Sequence, residues 1–209
     1  MDGREPWRHP LVVGRPLLEL LARRLAEREP RRAEIDGNPA RAAVAVLFRA
    51  PSAPEVELLL IRRAEREGDP WSGQMGLPGG RMAARDRSLL NTVLRETFEE
   101  IGLDISASGV MLGQLDELRP RTPVLPPIVV TPFVAVVPPE SEAVPNEEVA
   151  EALWVPASAL TAPAALGEAT VQTRAGELTV PAFRVGSHVV WGMTERILSQ
   201  LLQHLRSAE

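Results

Sequence analysis

Three glutamates spaced for one face of a helix are the strongest candidates for chemistry in this sequence. At 100° per residue, the side chains of Glu96, Glu99 and Glu100 fall within an arc of about 100°. Like charges clustered in this way cost roughly 0.2–0.5 kcal/mol per pair, and a divalent cation would offset that cost. Mg²⁺ and Mn²⁺ prefer carboxylate, carbonyl and water oxygens. The spacing predicts a metal site, although such a cluster taken alone is most often a solvated helix face.

A glycine turn and an arginine accompany the glutamates. The turn Leu77–Gly80 has the sequence LPGG, and Arg95 immediately precedes the first glutamate. A glycine pair by itself indicates only a turn. The joint pattern resembles the Nudix box, G-x5-E-x7-R-E-U-x-E-E-x-G-U, in which U is an aliphatic residue. Gly80 opens the box, and Arg95 to Leu103 carry its second half.

The sequence departs from the standard box at three points. Gly80 and Arg95 are one residue further apart than usual, Asp86 stands where the first glutamate is expected, and Thr97 replaces an aliphatic residue. Asp86 either supports the junction between loop and helix or is an ordinary turn residue.

The resemblance implies a role for each matching residue. Glu96, Glu99 and Glu100 would bind Mg²⁺ or Mn²⁺, with the Gly80 carbonyl as a further ligand. Arg95 would orient the glutamates by charge-assisted hydrogen bonds. The metal would acidify a water for attack on phosphorus, so the catalytic residues implied are Arg95, Glu99 and Glu100.

The proton acceptor is left open by the sequence. Glu99 and Glu100 are candidates, and so are Glu147 and Glu148, for which a plain solvated loop is the simpler interpretation.

Further segments resemble the coenzyme A pyrophosphatase subgroup of Nudix hydrolases. That subgroup has the same longer box, and residues 59–80 are similar to its upstream signature, as are Val130–Pro132 and Val190–Thr194 to its later landmarks. The resemblance covers roughly residues 42 to 203. It implies hydrolysis of coenzyme A to 4′-phosphopantetheine and 3′,5′-adenosine bisphosphate.

Other functions stay open beside this one. The substrate could instead be ADP-ribose, a dinucleotide cofactor, a dinucleoside polyphosphate or a nucleoside triphosphate. A catalytically inactive Nudix-fold regulator that binds nucleotides is the alternative from another class.

Four side chains outside the box are candidates for substrate binding. Arg62 belongs to the upstream signature, Arg119 and Arg121 could hold a phosphate, and Trp71 could stack on a base. A surface or packing role is an equally good interpretation of each. Trp191 is predicted to be a core residue at a junction between a strand and a helix.

Helices and strands together must position these residues. A helix is predicted over Ser88–Ile101 and ends at Gly102, with Phe98 among the residues that fill its core face. Strands are predicted at 42–48, 56–61, 110–118, 128–137, 152–155, 171–173 and 178–183. Further helices are predicted at 16–29 and 194–205. This order is typical of an α/β fold, and the resemblance narrows it to a Nudix-type α/β/α sandwich with a mixed β-sheet. Residues 1–38 are predicted to be a helical extension and linker, and 39–209 the Nudix hydrolase domain.

Composition excludes several classes of protein. The formal net charge of −5 argues against broad binding to nucleic acid or a membrane surface, so a nucleotide-containing small molecule is the expected partner. The chain has no cysteine, which excludes disulfides and thiolate metal sites and favours a cytoplasmic location. No stretch reaches the roughly 18 apolar residues of a membrane span. The N-terminal helix either pairs two subunits in a homodimer or covers the sheet.

Overall fold

Strands and helices are interspersed along the chain. A computed structural model describes residues 5–52, 54–69, 71–120, 127–162, 165–173 and 176–206. After a 3-10 turn at Pro6–Arg8, the helices are α1 (Pro16–Ala26), α2 (Leu89–Ile101), α3 (Ile105–Ser108), α4 (Ala157–Thr161) and α5 (Gly192–Arg206). The strands are β1 (Ala40–Ser52), β2 (Glu55–Arg63), β3 (Met75–Gly76), β4 (Gly79–Arg81), β5 (Val110–Gln114), β6 (Ile128–Val136), β7 (Val149–Pro156), β8 (Leu166–Thr173), β9 (Gly176–Val185) and β10 (His188–Trp191).

A seven-stranded mixed sheet forms the centre of the fold. Its main path is β3-β2-β1-β6-β5, while β4 pairs with β1 and β7 pairs with β2. Strands β1 and β6 are parallel, and the other pairs are antiparallel. Strands β10-β9-β8 form a separate three-stranded antiparallel sheet. The predicted α/β fold with a mixed sheet is confirmed.

Both faces of the central sheet are covered. In β1, Val46 and Phe48 belong to the core that contains α1 and α5, while Ala45 and Leu47 belong to the core that contains α2. Successive side chains of a strand point to opposite faces, so this alternation places helices on both sides. It gives the α/β/α layering.

Helix α1 packs on the sheet. Leu18 and Leu21 are fully buried in one core with Val46 and Leu112. Of the two expectations for this helix, covering the sheet is the one that the structure shows. A homodimer and a domain boundary near residue 38 stay predictions.

Helix α2 begins and ends where local signals predict. Ser88 is its N-cap, and the hydroxyl accepts a hydrogen bond from the Asn91 N–H at 3.1 Å. Gly102 adopts a left-handed conformation with φ of 70°, and its N–H donates to the Phe98 carbonyl at 2.9 Å.

The predicted core face of α2 is partly wrong. Phe98 is 57% exposed, whereas Thr97 is fully buried and Glu100 is 2% exposed. The buried arc is centred on Val93, Thr97 and Ile101, so Phe98 falls outside it. The helix is thus rotated about its axis relative to the prediction, so that Glu100 faces the sheet.

Strands β3 and β4 flank the predicted glycine turn and join it to the sheet. β3 pairs with β2, and β4 pairs with β1 through Gly80 opposite Ala43. Among the described residues, no helix combines the length and apolar character needed to cross a membrane.

Candidate functional site

The glycine turn fits directly against β1. Gly79 has a φ of +145°, and a side chain there would place its Cβ 2.2 Å from the Ala43 carbonyl oxygen. The Ala45 N–H donates to the Pro78 carbonyl at 2.8 Å. A residue with a Cβ could not occupy position 79 without moving the strand. The turn therefore has a fixed position relative to the sheet.

Two of the three glutamates meet this turn. The Gly79 N–H donates to Glu100 Oε2 at 2.8 Å. A methyl group on Gly80 would come within 2.6 Å of the Glu96 carboxyl carbon, so the Glu96 carboxylate lies against the turn. α2 and the glycine turn thus bring two carboxylates to one place.

Glu100 is the most buried carboxylate of this group. Burial raises the pKa of Glu100 to about 7, and the neighbouring carboxylates of Glu96 and Glu148 act in the same direction. The Gly79 N–H and the Arg63 guanidinium, 3.9 Å away, act against this rise.

Glu99 faces another direction. Its side chain is 45% exposed and pairs with Arg95 at 2.9 Å and with Arg85 at 2.8 Å. The three glutamates that the sequence placed together therefore divide into a pair at the turn and one on the outer surface.

Arg95 connects the two groups. Its Nη1 donates to Glu96 at 2.8 Å and to Glu99 at 2.9 Å, while Nε and Nη2 donate to Asp86 at 2.9 and 2.7 Å. These partners, Asp86 foremost, raise the pKa of Arg95. This geometry agrees with the prediction that Arg95 orients the glutamates, and that role stays a prediction.

Asp86 is a buried anchor of the loop before α2. Besides Arg95, its carboxylate accepts the Ala83 N–H at 2.9 Å and the Thr92 hydroxyl at 3.0 Å. The hydrogen bonds from Arg95 are the main cause that holds the pKa of Asp86 well below its usual range. Of the two interpretations of this aspartate, support of the junction between loop and helix is the one that the contacts favour.

A cavity of about 460 Å³ opens over the turn. Glu96, Glu100 and Gly80 line one part of it, and Trp71 and Trp191 are among its aromatic and apolar lining. A volume of this size is typical of small-molecule sites.

The cavity also contains residues that sequence reasoning missed or set aside. Arg63, Arg81, Met193 and Glu148 line it, and Trp191, predicted to be a core residue, has a side chain on its wall. Trp191 reaches the site because α5 begins beside β3, where the Thr194 hydroxyl donates to the Met75 carbonyl at 3.2 Å. No local pattern in the sequence signals this long-range contact.

The loop before β7 reaches the same cavity through Glu148. The Asn146 side chain donates to the Glu99 carbonyl at 2.9 Å, and the Asn146 N–H donates to the Glu100 carbonyl at 2.8 Å. This ties the loop to the end of α2. Glu148 pairs with Arg66 at 3.1 Å, while the Glu147 side chain is 89% exposed.

The predicted substrate-binding residues are dispersed. Trp71 lines the cavity, but Arg62 pairs with Glu151 at 3.4 Å on the other side of β2, and Arg63 takes the position facing the cavity. Arg119 donates to the Glu34 carbonyl and to Asp36, both at about 3 Å, and is not among the described residues that line the cavity. Arg121 lies outside the described residues.

The carboxylates suit a divalent cation by their chemistry. The negative charges of Glu96 and Glu148 both raise the pKa of the buried Glu100. A bound cation would offset this repulsion between carboxylates. Among the residues that the structure describes, no group of three or more acidic or imidazole side chains lies in ligating geometry. Glu96 and Glu99 are instead neutralised by Arg95. Glu96 and Glu100 are the best-placed ligands, and Glu99 would have to leave its arginines to join them.

Comparisons with known proteins give a consistent result. A model of the NUDIX domain matches residues 38–174. The chain is 32% identical over 202 residues to the Nudix hydrolase NudL of Yersinia enterocolitica. The aligned region covers 92% of this chain and 94% of that protein. It is 32% identical over 163 residues to NudL of Photorhabdus laumondii, covering 78% and 84%.

A longer relative is known from Schizosaccharomyces pombe. The identity to this uncharacterized protein is 33% over 165 residues, which is 69% of this chain but 50% of the relative. The chain therefore spans about half the length of that protein.

Two solved structures share the fold. The NUDIX domain of NrtR from Shewanella oneidensis, complexed with ADP ribose, has a TM-score of 0.53 at 19% identity and covers 88% of this chain and 97% of that one. A MutT/nudix family protein from Enterococcus faecalis has a TM-score of 0.52 at 22% identity, covering 87% and 71%. At these identities the likeness concerns the fold alone.

Proposed function

This chain belongs to the Nudix hydrolases, which cleave pyrophosphate bonds of nucleoside diphosphate derivatives, and we propose that its substrate is coenzyme A. The products would be 4′-phosphopantetheine and 3′,5′-adenosine bisphosphate. The family generally requires a divalent metal, and we propose Mg²⁺ or Mn²⁺ in this role.

One observation carries the proposal. The cavity of about 460 Å³ has carboxylates at one part, two tryptophans in its lining, and the Arg63 guanidinium within the same space. A nucleotide diphosphate needs these three environments: an aromatic surface for the base, positive charge for the phosphates and carboxylates for metal ions. The sequence features similar to the coenzyme A subgroup favour this substrate among the possible diphosphates.

The chain's own residues would divide the work as follows. Glu96 and Glu100, with the Gly80 carbonyl, would hold the cation, and Arg95 would keep Glu96 and Glu99 oriented. A bound divalent cation neutralises diphosphate oxygens and lowers the pKa of an attacking water.

Arg63 would bind the diphosphate oxygens. It enters the cavity from the end of β2, and Asp69 holds its guanidinium at 2.9 Å. An arginine fixed in this way loses little conformational freedom when it binds a phosphate. Of the four carboxylates considered as proton acceptor, Glu100 and Glu148 line the cavity, so we propose that the acceptor is one of these two.

The proposal is tested by offering a panel of diphosphates with Mg²⁺ or Mn²⁺. The panel contains coenzyme A, ADP-ribose, NADH, a dinucleoside tetraphosphate and a nucleoside triphosphate, and the products are identified by mass spectrometry. We expect coenzyme A to be cleaved with the highest kcat/KM and EDTA to abolish the reaction.

A matched pair of variants links the activity to the site. Glu100→Gln should lower kcat about a hundredfold or more, because even groups that only orient a metal ligand contribute about 10–100-fold. Glu27→Gln makes the same change at an exposed position at the end of α1 and should leave kcat unchanged. Survival of coenzyme A while ADP-ribose or NADH is consumed would refute the substrate. Binding of coenzyme A without cleavage of any panel member would favour the regulator.

A further inference from the structure

A second cavity lies beside the first. It also measures about 460 Å³, opens to solvent, and lies between the loop before β3 on one side and residues of β8 and β10 on the other. Gln74, Met75 and Trp191 line both cavities, so these three residues form a shared wall. A ligand that passes this wall would occupy both spaces.

The lining of the second cavity is polar, and carboxylates offset the positive charge of Arg62 in it. Ser72, Gln172 and His188 offer hydrogen-bond donors and acceptors. Arg62 contributes its positive charge, but it pairs with Glu151 at 3.4 Å, and Glu65 adds a carboxylate to the lining. A phosphate would therefore meet no excess of positive charge in this space. The lining suits a neutral group that both donates and accepts hydrogen bonds.

Part of this cavity comes from a segment beyond the family match. The NUDIX domain match ends at residue 174, whereas His188 and Trp191 belong to β10. The catalytic carboxylates and the glycine turn lie inside the match. Most of the lining, including Gln172, lies inside the match, and β10 completes the cavity from outside it. A role in choosing the substrate accounts for this position beside the hydrolytic site.

We propose that the second cavity binds the neutral arm of the substrate, a chain or ring that carries hydroxyl and amide groups and is attached to the diphosphate. This inference rests on the proposed function, because it places the diphosphate in the first cavity. The arm extends past Trp191 and is held by His188 and Gln172. The sheet β8–β10 then acts as a specificity element for the hydrolase.

The test compares substrates that share the adenosine diphosphate part and differ in the arm. Coenzyme A carries an amide chain, ADP-ribose a sugar, and the methyl ester of adenosine 5′-diphosphate almost no arm. Because coenzyme A also has a 3′-phosphate, its armless match is the same methyl ester with a 3′-phosphate. His188→Ala and Gln172→Ala are the variants, since Gln172 is exposed, His188 is partly buried, and both line the second cavity but are not among the described lining of the first. Thr179→Ala is the matched control, an exposed residue of the same sheet that does not line the cavity.

Each cavity variant should raise KM for an arm-bearing substrate about three- to tenfold, the effect of losing one neutral hydrogen bond. The value of kcat and the kinetics on the methyl ester should not change, and Thr179→Ala should behave as the wild type. The arm whose KM responds, amide chain or sugar, identifies the ligand. Equal effects on the methyl ester, or no effect on either arm, would overturn the proposal.

A binding measurement separates this inference from the proposed function. Coenzyme A and the methyl ester that carries the same 3′-phosphate are titrated calorimetrically into Glu100→Gln protein with Mg²⁺, with and without the His188→Ala change. A weaker affinity for coenzyme A alone supports the second cavity even if the wild type hydrolyses none of the substrates. An unchanged difference between the two ligands refutes the second cavity even if hydrolysis is observed.

Discussion

Replacement of Asp86 by asparagine should destabilise the fold although it adds or removes no carbon atom. Its side chain is 4% exposed, and the carboxylate accepts four hydrogen bonds, two from Arg95, one from the Ala83 N–H and one from the Thr92 hydroxyl. Asparagine keeps one acceptor oxygen but turns an NH₂ group towards these donors.

The size of the effect follows from these contacts. A hydrogen bond to a charged group contributes about 1.5–3 kcal/mol, so losing the paired bond with Arg95 should lower the free energy of unfolding by about 3 kcal/mol. For a chain of this length, 1 kcal/mol corresponds to about 2–4 °C in Tm, which gives a fall of roughly 6–12 °C. Chemical and thermal denaturation followed by circular dichroism measure both quantities.

The dependence on pH has a definite sign. Because the pKa of Asp86 is lowered in the folded protein, its contribution to stability is complete above the ordinary aspartate pKa of about 3.9 and is lost as the pH falls. The difference in stability between wild type and Asp86→Asn should therefore be constant near neutral pH and shrink below about pH 4.

Asp36→Asn is the matched control. It removes the same charge from an aspartate that also pairs with an arginine, Arg119 at 3.1 Å, but whose side chain is 91% exposed. Exposed pairs contribute about 0–1 kcal/mol, so Tm should hardly change. If the two variants lost the same stability, the anchoring role of Asp86 would be wrong.

Three further changes test other parts of the structure. Gly79→Ala should reduce the free energy of unfolding by more than about 2 kcal/mol, because its Cβ would lie 2.2 Å from the Ala43 carbonyl oxygen; denaturation midpoints measure this, and a wild-type midpoint would contradict the tight contact. Arg63→Ala should raise KM for the methyl ester of adenosine 5′-diphosphate about tenfold, whereas Arg62→Ala should not, and equal KM values would remove Arg63 from diphosphate binding. Thr97→Val should raise Tm by about 2–4 °C, because the Thr97 hydroxyl is buried without a hydrogen-bond partner among the described residues; a lower Tm would indicate an undetected partner.

The elements with local signals were predicted well. Helix α2 begins at a serine N-cap and ends at a left-handed glycine, and both signals act within one turn of the helix. The apolar segments of β1 and β6 were also identified, because burial on both faces gives a continuous apolar run. The short β3 and β4 were missed, since strands of two and three residues are defined by their partners and not by their own composition.

The candidate site depended more on long-range contacts. The spacing of the glutamates predicted one acidic face, but Arg95 and Arg85 bind Glu99 on the outside while the glycine turn receives Glu96 and Glu100. Helical spacing alone does not determine which side of a narrow arc meets the sheet.

Arg62 was predicted to bind the substrate, and the structure places Arg63 at the first cavity and Arg62 at the second. Adjacent residues of a regular strand point to opposite faces, but the pairing of β2 with β7 shifts register between these two residues, so the sequence alone does not show which cavity each one lines. The sequence resemblance located the segment, and the pairing of β2 with β3 and β7 determined which arginine faces the cavity.

Two of the three departures from the standard box concern the loop before α2. Asp86 keeps the expected distance from Gly80, so the additional residue of the longer box falls between Asp86 and Arg95. An aspartate is one methylene shorter than the expected glutamate, yet it reaches both the guanidinium of Arg95 and the Thr92 hydroxyl near the start of α2. The same guanidinium donates to Glu96 and Glu99, so the longer spacing and the shorter acid still leave the arginine bound to the glutamates.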